Sequence, residues 1–490
     1  MSTSEILLIL SALIIISYIF DEFARRTRFP SVILLMLTGI SLRIVVELFT
    51  DIDYQFLDTL VPVLGTIGLI MIVLEEALEL QISRKKVPIL LKGLITSIVL
   101  LLVNIWLLTW IFQESFKYDF KSAVMYSIPL SVLSSAVAIP SASGLLKIDR
   151  EFVVYETTFS DIIGIALFYY AIDNFSTGKD PLAVGQVVNQ LGLIFIVVLI
   201  SVAITALLMV VLKQIRHPTK FFFVIAILLG IYAIGKRMHW PVLLTIFIFG
   251  LMQANVENFL PSSFRKRVDI KDYEEEIGDF KVLTVGISFL VRIFFFLFFG
   301  FSILYSDFEP SSFYIGIGLF MVMFVPRYLY FVFGKMLLFF RRTLQLLRPR
   351  FSLRPSTVLF IAPRGLISIL LFVEIDSIDS FEIDKENVVN EQLLLILILT
   401  SMVFMLLGTM RKIKPEGPEF EDLHFSDNTA TEQPFDIQTQ YPSEEDFIDE
   451  SQPLVEQNPF SEEESDVEDF NDDNADNDHD EPQDFQSPKE

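Results

Sequence analysis

Two acidic residues, Glu156 and Asp161, lie five positions apart inside an apolar stretch of the sequence. If that stretch is helical, the offset turns the two carboxyl groups about 140° apart, so they face different neighbours. One of them can then be held in a fixed ion pair while the other binds and releases ions. A carboxylate that alternates between a proton and a cation is what ion exchange requires, and we assign this part to Asp161.

Further ionisable residues lie within other apolar stretches, where a charge is costly unless it faces a partner or a cavity. Acidic residues cluster in one segment and single bases occur in four others: Glu75, Glu76, Glu79, Lys92, Arg292, Arg327 and Arg364. Each of them is therefore a candidate for an ion pair or a binding site. The sequence assigns no role to Lys92 or Arg292.

Two segments combine helix-breaking residues with small or hydroxyl side chains near their middle. They are residues 127–144, with Ser134 and Ser135 between two prolines, and residues 356–368, with Pro363-Arg364-Gly365. Interrupted segments at matching places in two halves of a chain indicate the binding site of a transporter. Backbone and hydroxyl oxygens freed at such breaks can coordinate a dehydrated cation.

The elements that position these residues are membrane-spanning helices. The chain has 490 residues and is 52% hydrophobic, which is too apolar for a soluble protein of this size. A spanning helix needs roughly 20 apolar residues. If the seventh segment is a linker, the broken segments are the fifth of each half, and the halves are inverted repeats. The thirteen predicted segments are 5–20, 29–49, 57–80, 87–112, 122–146, 151–172, 186–212, 219–237, 240–257, 279–304, 312–338, 355–375 and 391–410.

Basic residues in the predicted loops give the orientation. With the N-terminus outside, the cytoplasmic loops collect 24 Lys and Arg residues and the outer loops 6, which agrees with the positive-inside rule. The tightest junction lies near 236–240, and residues 258–277 are predicted as an interfacial helix or loop. We therefore expect a multi-pass protein of the cell inner membrane, in contact with lipid.

The net charge of −24 comes almost entirely from residues 415–490, which contain 27 acidic residues and one lysine. Such a segment cannot bury enough apolar surface to fold alone, so we predict a disordered cytoplasmic tail after a transmembrane domain of residues 1–414. The absence of cysteine excludes disulfides and Cys-ligated metals. We expect no cofactor, no nucleic-acid partner and no enzymatic activity.

These residues resemble motifs of the monovalent cation:proton antiporter superfamily, the sodium/proton exchangers and their relatives. Glu156-x-x-x-Ser160-Asp161 is similar to the Glu-x-x-x-Asn-Asp signature, which places Asp161 on the family's ion- and proton-binding carboxylate. Four more segments are similar to family patterns, with Glu75 on an acidic position: Leu74 to Leu80, Phe294 to Gly300, Phe324 to Arg327 and Pro363 to Leu366. The opening Phe29-Pro30 and Gly39 of the second predicted helix also agree.

The resemblance covers roughly residues 5–410 and implies an all-α membrane fold of about 13 helices, in which the discontinuous fifth and twelfth helices cross. It also implies elevator-type exchange and a homodimer. The implied ion- and proton-binding residues are Asp161, Ser160, Ser134, Ser135 and Glu75. The implied structural residues are Glu156 paired with Arg327, and Arg364 at the helix crossing.

Two departures from the family pattern bear on the cation and the stoichiometry. Ser134-Ser135-Ala136 stands where electroneutral members carry Thr-Asp-Pro, and it is closer to the Ser-Ser-Thr-Ala run of potassium-efflux relatives. Ser160 in place of a second acid favours electroneutral exchange. Sodium, potassium and lithium all remain candidate substrates. A channel-like potassium efflux system and a transporter-fold sensor that moves no ions are the alternative functions.

Overall fold

The computed structural model describes residues 8, 11–12, 14–20, 22–23, 30–49, 55–83, 85–142, 145–179, 181, 183–214, 220–237, 242–256, 270–302, 310–343, 358–376, 378, 383 and 389–410. These residues form α1 (Ser31–Phe49), α2 (Gln55–Glu79), α3 (Val87–Phe116), α4 (Phe120–Ser131), α5 (Ser135–Ser141), α6 (Lys147–Ser176), α7 (Val184–Gln214), α8 (Lys220–Arg237), α9 (Val242–Ala254), α10 (Ile270–Ser302), α11 (Pro310–Thr343), α12 (Leu366–Asp376) and α13 (Glu391–Met410). Residues 14–20 are also helical. The predicted tail, 415–490, lies outside the described residues.

Length and composition make this a multi-pass membrane protein. Among the described residues, six helical stretches are long and apolar enough to cross a bilayer, and four more apolar helices are shorter. The six comprise α3, α4 together with α5, α6 and the apolar parts of α10, α11 and α13. The all-helical architecture predicted from the thirteen apolar segments is confirmed for the part of the chain that the structure covers.

Two predicted boundaries can be compared with the structure only in part. Helix α8 is described to Arg237 and α9 from Val242, so the junction predicted near 236–240 lies partly outside the described residues. Helix α10 is described from Ile270 on, so the part of the predicted interfacial helix or loop (258–277) that the structure describes is continuous with the membrane helix predicted from residue 279. Its charged first turns contain good helix formers, which lets the helix continue beyond its apolar part.

The helices pack in two groups. We name α1, α2, α7, α8, α9 and α10 bundle A, and α3 to α6 with α11, α12 and α13 bundle B. Close packing is mainly within each bundle, for example α1 on α10 and α3 on α6. Between the bundles, the described helices touch chiefly where α9 meets α6 and where α2 meets α12. The boundary between the two bundles is therefore less densely packed than either interior.

Bundle A contains a close backbone contact between two helices. A Cβ atom added to Gly39 of α1 would collide with the carbonyl oxygen of Leu297, and one on Gly300 of α10 would collide with that of Met36. Small residues at such crossings let helices approach in a bilayer, where no hydrophobic effect drives them together. The two glycines thus fix the packing of α1 on α10.

Both predicted interrupted segments are broken in the structure. The first consists of α4 and α5, with Val132 and Ser134 extended between them. Asp119 caps the start of α4 by accepting hydrogen bonds from the N–H groups of Lys121 and Ser122 at 3.0 and 3.2 Å. In the second segment, residues 361–365 are non-helical and α12 starts directly after them. Both breaks lie in bundle B.

Candidate functional site

The break between α4 and α5 exposes backbone groups that a continuous helix would use internally. Three successive N–H groups donate to other elements: Leu133 to Ser160 Oγ at 3.0 Å, Ser134 to the Pro363 carbonyl at 2.9 Å, and Ser135 to Asp161 Oδ2 at 3.0 Å. The break is thus held by α6 and by the second interrupted segment. Buried N–H groups need such partners, because water cannot supply them inside a bilayer.

The two interrupted segments meet at this point. Besides the Ser134 to Pro363 hydrogen bond, Gly365 packs so closely on Ser134 that a Cβ there would lie 2.5 Å from the serine Oγ. The crossing predicted from the sequence is therefore present. It brings Ser134, Ser135, Ser160 and Asp161 into one buried region.

Asp161 is completely buried in α6. Its Oδ2 accepts the hydrogen bond from Ser135 N–H, whereas Oδ1 has no hydrogen-bond partner among the described residues. A buried carboxylate oxygen without a donor is costly unless a proton or a cation compensates it. The carboxyl group of Asp161 is therefore positioned by its backbone contact and has one oxygen available for a ligand.

A second carboxyl group lies at the same serine. Glu76 of α2 is 4% exposed, and its Oε1 accepts a hydrogen bond from Ser135 Oγ. Its Oε2, like Oδ1 of Asp161, has no partner within the part of the chain that the structure describes. Ser135 thus joins an acid of bundle B through its N–H and an acid of bundle A through its hydroxyl.

Glu75, which the sequence placed in the binding site, is elsewhere. Its Oε2 accepts a hydrogen bond from Arg292 Nη2 of α10 at 2.9 Å, an ion pair inside bundle A. Consecutive residues of a helix are about 100° apart, so only one of the two glutamates can face Ser135. The structure turns Glu76 toward Ser135 and gives Arg292 its partner.

The ion pair between Glu156 and Arg327 is present and fully enclosed. Arg327 Nη1 donates to Glu156 Oε1 at 2.6 Å and Nη2 to Oε2 at 3.0 Å, with side-chain exposures of 3% and 0%. The guanidinium also donates to three carbonyls of the second interrupted segment, those of Val358, Leu359 and Ile361. The planar guanidinium group of Arg327 therefore connects α6 and α11 to the second interrupted segment.

Arg364 lies at the crossing itself. Its Nη1 donates to the carbonyl oxygen of Ser131, the last residue of α4, and its backbone N–H donates to Ser401 Oγ at 2.9 Å. The C-terminus of a helix carries partial negative charge, which a guanidinium group stabilises. Arg364 is 3% exposed, so this stabilisation acts in a region without bulk water.

Comparisons with known proteins place the chain in a family. It matches the family described as "Sodium/hydrogen exchanger, transmembrane" over residues 9–412. The chain belongs to the sodium/hydrogen exchanger family. Similar solved structures include two of the sodium proton antiporter MjNhaP1 from Methanocaldococcus jannaschii. One, at pH 8, has 16% identity and a TM-score of 0.60 and covers 84% of this chain and 96% of that one. The other, from an electron-microscopy map, has 18% identity and a TM-score of 0.58 and covers 83% and 95%.

No curated protein matched the chain. At 16% identity, the structural likeness to MjNhaP1 shows a shared fold alone, and family membership rests on the match over residues 9–412. The family consists of transporters that exchange sodium for protons, so this chain is an antiporter-family protein. Among the described residues of this sodium/hydrogen exchanger, no group of three or more His, Cys, Asp or Glu residues could hold a metal ion.

Glu76 received no role from the sequence, which contains only part of the information that places this residue. Arg292 is a base in the middle of an apolar helix and requires a partner. In the structure that partner is Glu75, which leaves Glu76 and Glu79 as the other acids at the C-terminal end of α2 in this sodium/hydrogen exchanger. The sequence alone does not show which glutamate Arg292 takes. The family pattern instead suggested Glu75 for the site, because a motif aligns positions but does not fix how a helix turns about its axis.

Proposed function

We propose that this sodium/hydrogen exchanger binds either one monovalent cation or one proton at a site formed by Asp161, Glu76 and the break around Ser135. The observation that carries the proposal is the pair of buried carboxyl groups that share Ser135, each with one oxygen that has no partner among the described residues. Two uncompensated negative charges are too costly in such a place. Either ligand supplies the positive charge that the site requires.

The backbone of the break and its hydroxyl groups complete the proposed site. Ser160 accepts from Leu133 N–H and so holds the break open beside Asp161. Ser134 and Ser160 remain candidate ligands through their oxygens, together with Ser135. Glu156, Arg327 and Arg364 are assigned structural parts, because their charged groups contact each other or backbone carbonyls.

Electroneutral exchange is the stoichiometry that we propose. If one proton or one monovalent cation occupies the two-carboxyl site in turn, the site carries the same charge in both states. No charge then moves across the membrane in a complete cycle. The sequence suggested electroneutral exchange because Ser160 is not an acid. Glu76 adds a second carboxyl group to the proposed site, so the stoichiometry needs to be measured.

Reconstitution in proteoliposomes tests the function directly. A pH gradient is imposed, sodium, lithium or potassium is added, and dissipation of the gradient is followed with the membrane potential clamped at two values. We expect at least one cation to dissipate the gradient at a rate that does not change with the potential. A potential-dependent rate would contradict electroneutrality. Protein that is silent with all three cations from acidic to alkaline pH would favour the sensor alternative.

We also propose an elevator-type movement of bundle B against bundle A. Asp161 belongs to bundle B and Glu76 to bundle A, so the site lies on the boundary between them. Further polar contacts among the described residues cross this boundary. Lys236 Nζ lies 2.8 Å from Glu374 Oε1, Ser302 Oγ donates to Glu391 at 3.2 Å, and the hydroxyl groups of Tyr169 and Tyr232 are hydrogen-bonded to each other. Contacts of this kind can break and form again without disturbing the interior of either bundle.

Cross-linking tests this movement, and the chain offers a clean background because it contains no cysteine. We expect a cleavable bifunctional thiol reagent across Lys236→Cys/Glu374→Cys to stop transport, and a reductant to restore it. The matched control is Lys86→Cys/Glu151→Cys, whose native side chains pair at 3.2 Å within bundle B. Transport at the normal rate through a fully cross-linked 236–374 protein would refute the movement.

The remaining expectations stay predictions. Transport by residues 1–414, an N-terminus outside the cell, a cytoplasmic tail, the inner membrane as location and a homodimer all follow from sequence patterns or from the family resemblance. Protease accessibility of the tail in inside-out and right-side-out vesicles tests the orientation. Cleavage of the tail in right-side-out vesicles but not in inside-out vesicles would contradict the predicted orientation.

A further inference from the structure

An open cavity lies at the predicted cytoplasmic end of the membrane domain, where α2 ends and α3 and α6 begin. Its volume is about 280 Å³, near the lower limit for pockets that hold small organic molecules. Its charged walls are Glu79, Lys86, Lys147, Arg150 and Glu151. No residue of the proposed cation site is among its walls, so it is separate from that site.

The beginning of α6 forms one side of this cavity. Arg150 and Glu151 follow Lys147 at three and four residues, so the three side chains share one face of the helix. One turn further on, the Tyr155 hydroxyl donates to the Gln81 carbonyl at 2.9 Å, which fixes this face against the end of α2. Neither α3 nor α6 begins with a side-chain cap, so the N-termini of both helices add partial positive charge at the cavity.

Positive charge exceeds negative charge in the cavity. Lys86 Nζ lies 3.2 Å from Glu151 Oε1, so these two side chains neutralise each other. The side chains of Lys147, Arg150 and Glu79 have no ion-pair partner among the described residues. Three bases and two acids give the walls a net charge of +1, which favours a ligand with a single negative charge.

An apolar stripe runs along α3 from the edge of the cavity. Val87 directly follows the wall residue Lys86, and it is exposed together with Leu91, Ile95 and Ile98, at 36% to 55%. Intervals of four, four and three residues place these side chains on one face of the helix. From Val87 to Ile98 the stripe is about 17 Å long, roughly half of the hydrocarbon core of a bilayer. An acyl chain of one leaflet can therefore lie along the stripe with its headgroup at the cavity.

We propose that this cavity binds the phosphodiester headgroup of an anionic phospholipid from the predicted cytoplasmic leaflet, with an acyl chain along the stripe on α3. Basic pockets between membrane helices on the cytoplasmic side are typical sites for such headgroups. Arg150 can hold phosphate oxygens through two parallel N–H donors, and Lys147 adds a point charge. A singly charged headgroup balances the walls, whereas a zwitterionic one leaves their positive charge uncompensated. A soluble phosphate would make no use of the stripe.

A lipid at this place contacts both bundles. Glu79 belongs to α2 of bundle A, whereas Lys147 and Arg150 belong to α6 of bundle B. The lipid is therefore a specific ligand rather than part of the surrounding bilayer. Its leaflet follows from the orientation predicted from the sequence, but its binding does not depend on which ion is transported or on movement of the bundles.

Photo-cross-linking of the whole protein in phosphatidylcholine vesicles tests the proposal. Each sample contains one probe lipid with a phosphatidylglycerol, phosphatidylethanolamine or phosphatidylcholine headgroup and a diazirine on the same acyl chain. Mass spectrometry measures labelling of α3 between Val87 and Ile98 relative to labelling of the exposed residues Phe195 and Leu199 of α7. We expect this ratio to be about fivefold or more higher for phosphatidylglycerol, which matches one uncompensated base. A ratio for either other probe that equals that of phosphatidylglycerol would overturn the proposal.

Two matched double variants locate the headgroup. Lys147→Gln/Arg150→Gln should lower the phosphatidylglycerol ratio to that of phosphatidylcholine, and it should fold because both side chains are exposed. The control Lys85→Gln/Lys281→Gln removes the same charge from two bases that are not walls of the cavity, and it should keep the wild-type ratio. An unchanged ratio in the first variant, or an equal fall in the control, would overturn the assignment to this cavity.

Inorganic phosphate distinguishes a lipid headgroup from a soluble anion. Added at constant ionic strength, it should leave the phosphatidylglycerol ratio unchanged, because it lacks the acyl chain that lies along α3. Displacement of the probe by phosphate would overturn the lipid proposal in favour of a soluble ligand.

Discussion

Asp161→Asn should abolish cation-dependent dissipation of a pH gradient in proteoliposomes, while leaving the protein folded. The amide can still accept the hydrogen bond that Ser135 N–H donates to Asp161 Oδ2, so the break keeps its contact. It cannot exchange a proton for a cation, because an amide side chain has no ionised form near neutral pH. We expect no signal above protein-free liposomes with any cation that wild-type protein transports.

Two matched variants on α2 distinguish the loss of a carboxyl group in the proposed site from the loss of a neighbouring carboxyl group outside it. Glu76→Gln should raise the cation concentration for half-maximal transport about tenfold or more, because it removes one of the two carboxyl groups of the proposed site. A tenfold change corresponds to about 1.4 kcal/mol of binding free energy. Glu75→Gln removes the neighbouring acid, which pairs with Arg292, and should leave that concentration within about twofold. Normal transport by Asp161→Asn, or a larger shift for Glu75→Gln than for Glu76→Gln, would refute the assigned site.

Arg327→Met should be the most destabilising of the substitutions considered. It leaves Glu156, which is 0% exposed, without its partner and removes the donors to the carbonyls of Val358, Leu359 and Ile361. Breaking a buried pair by removing one charge costs about 3–5 kcal/mol, because the other charge stays buried and uncompensated. We expect a large fall in the thermal unfolding temperature of the purified protein.

The double variant Glu156→Gln/Arg327→Met is the control for this prediction. Removing the second charge eliminates the uncompensated carboxylate, so the double variant should be more stable than Arg327→Met alone. Recovery should be partial, because the three carbonyls of the interrupted segment still lack a donor. Equal unfolding temperatures for the single and double variants would mean that the charge of Glu156 contributes nothing.

Much of this architecture follows from patterns that a sequence contains. Apolar length predicts spanning helices, since the bilayer sets the length of each. Proline, glycine and serine marked both interrupted segments, and the structure shows the non-helical backbone there. The five-residue offset between Glu156 and Asp161 correctly gave them different surroundings: Arg327 for the first, and Ser135 for the second.

The rest depended on information that the sequence does not contain. Apolar residues surround the buried membrane helices on all sides, so periodicity does not show which face meets a neighbour. This is why Glu75 and Glu76 could not be distinguished before their partners were known. The continuity of residues 270–278 with the membrane part of α10 was not predicted, because only the apolar part follows the length rule for a membrane span.

Ser135 has a consequence for the two faces of the membrane. In the elevator movement that we propose, its N–H stays with Asp161, since both belong to bundle B, while its hydroxyl leaves Glu76, which belongs to bundle A. A cation that moves with bundle B then keeps one carboxylate and loses the other. The same ion therefore encounters a tighter site on one side of the membrane than on the other, although the overall direction of exchange is still set by the gradients.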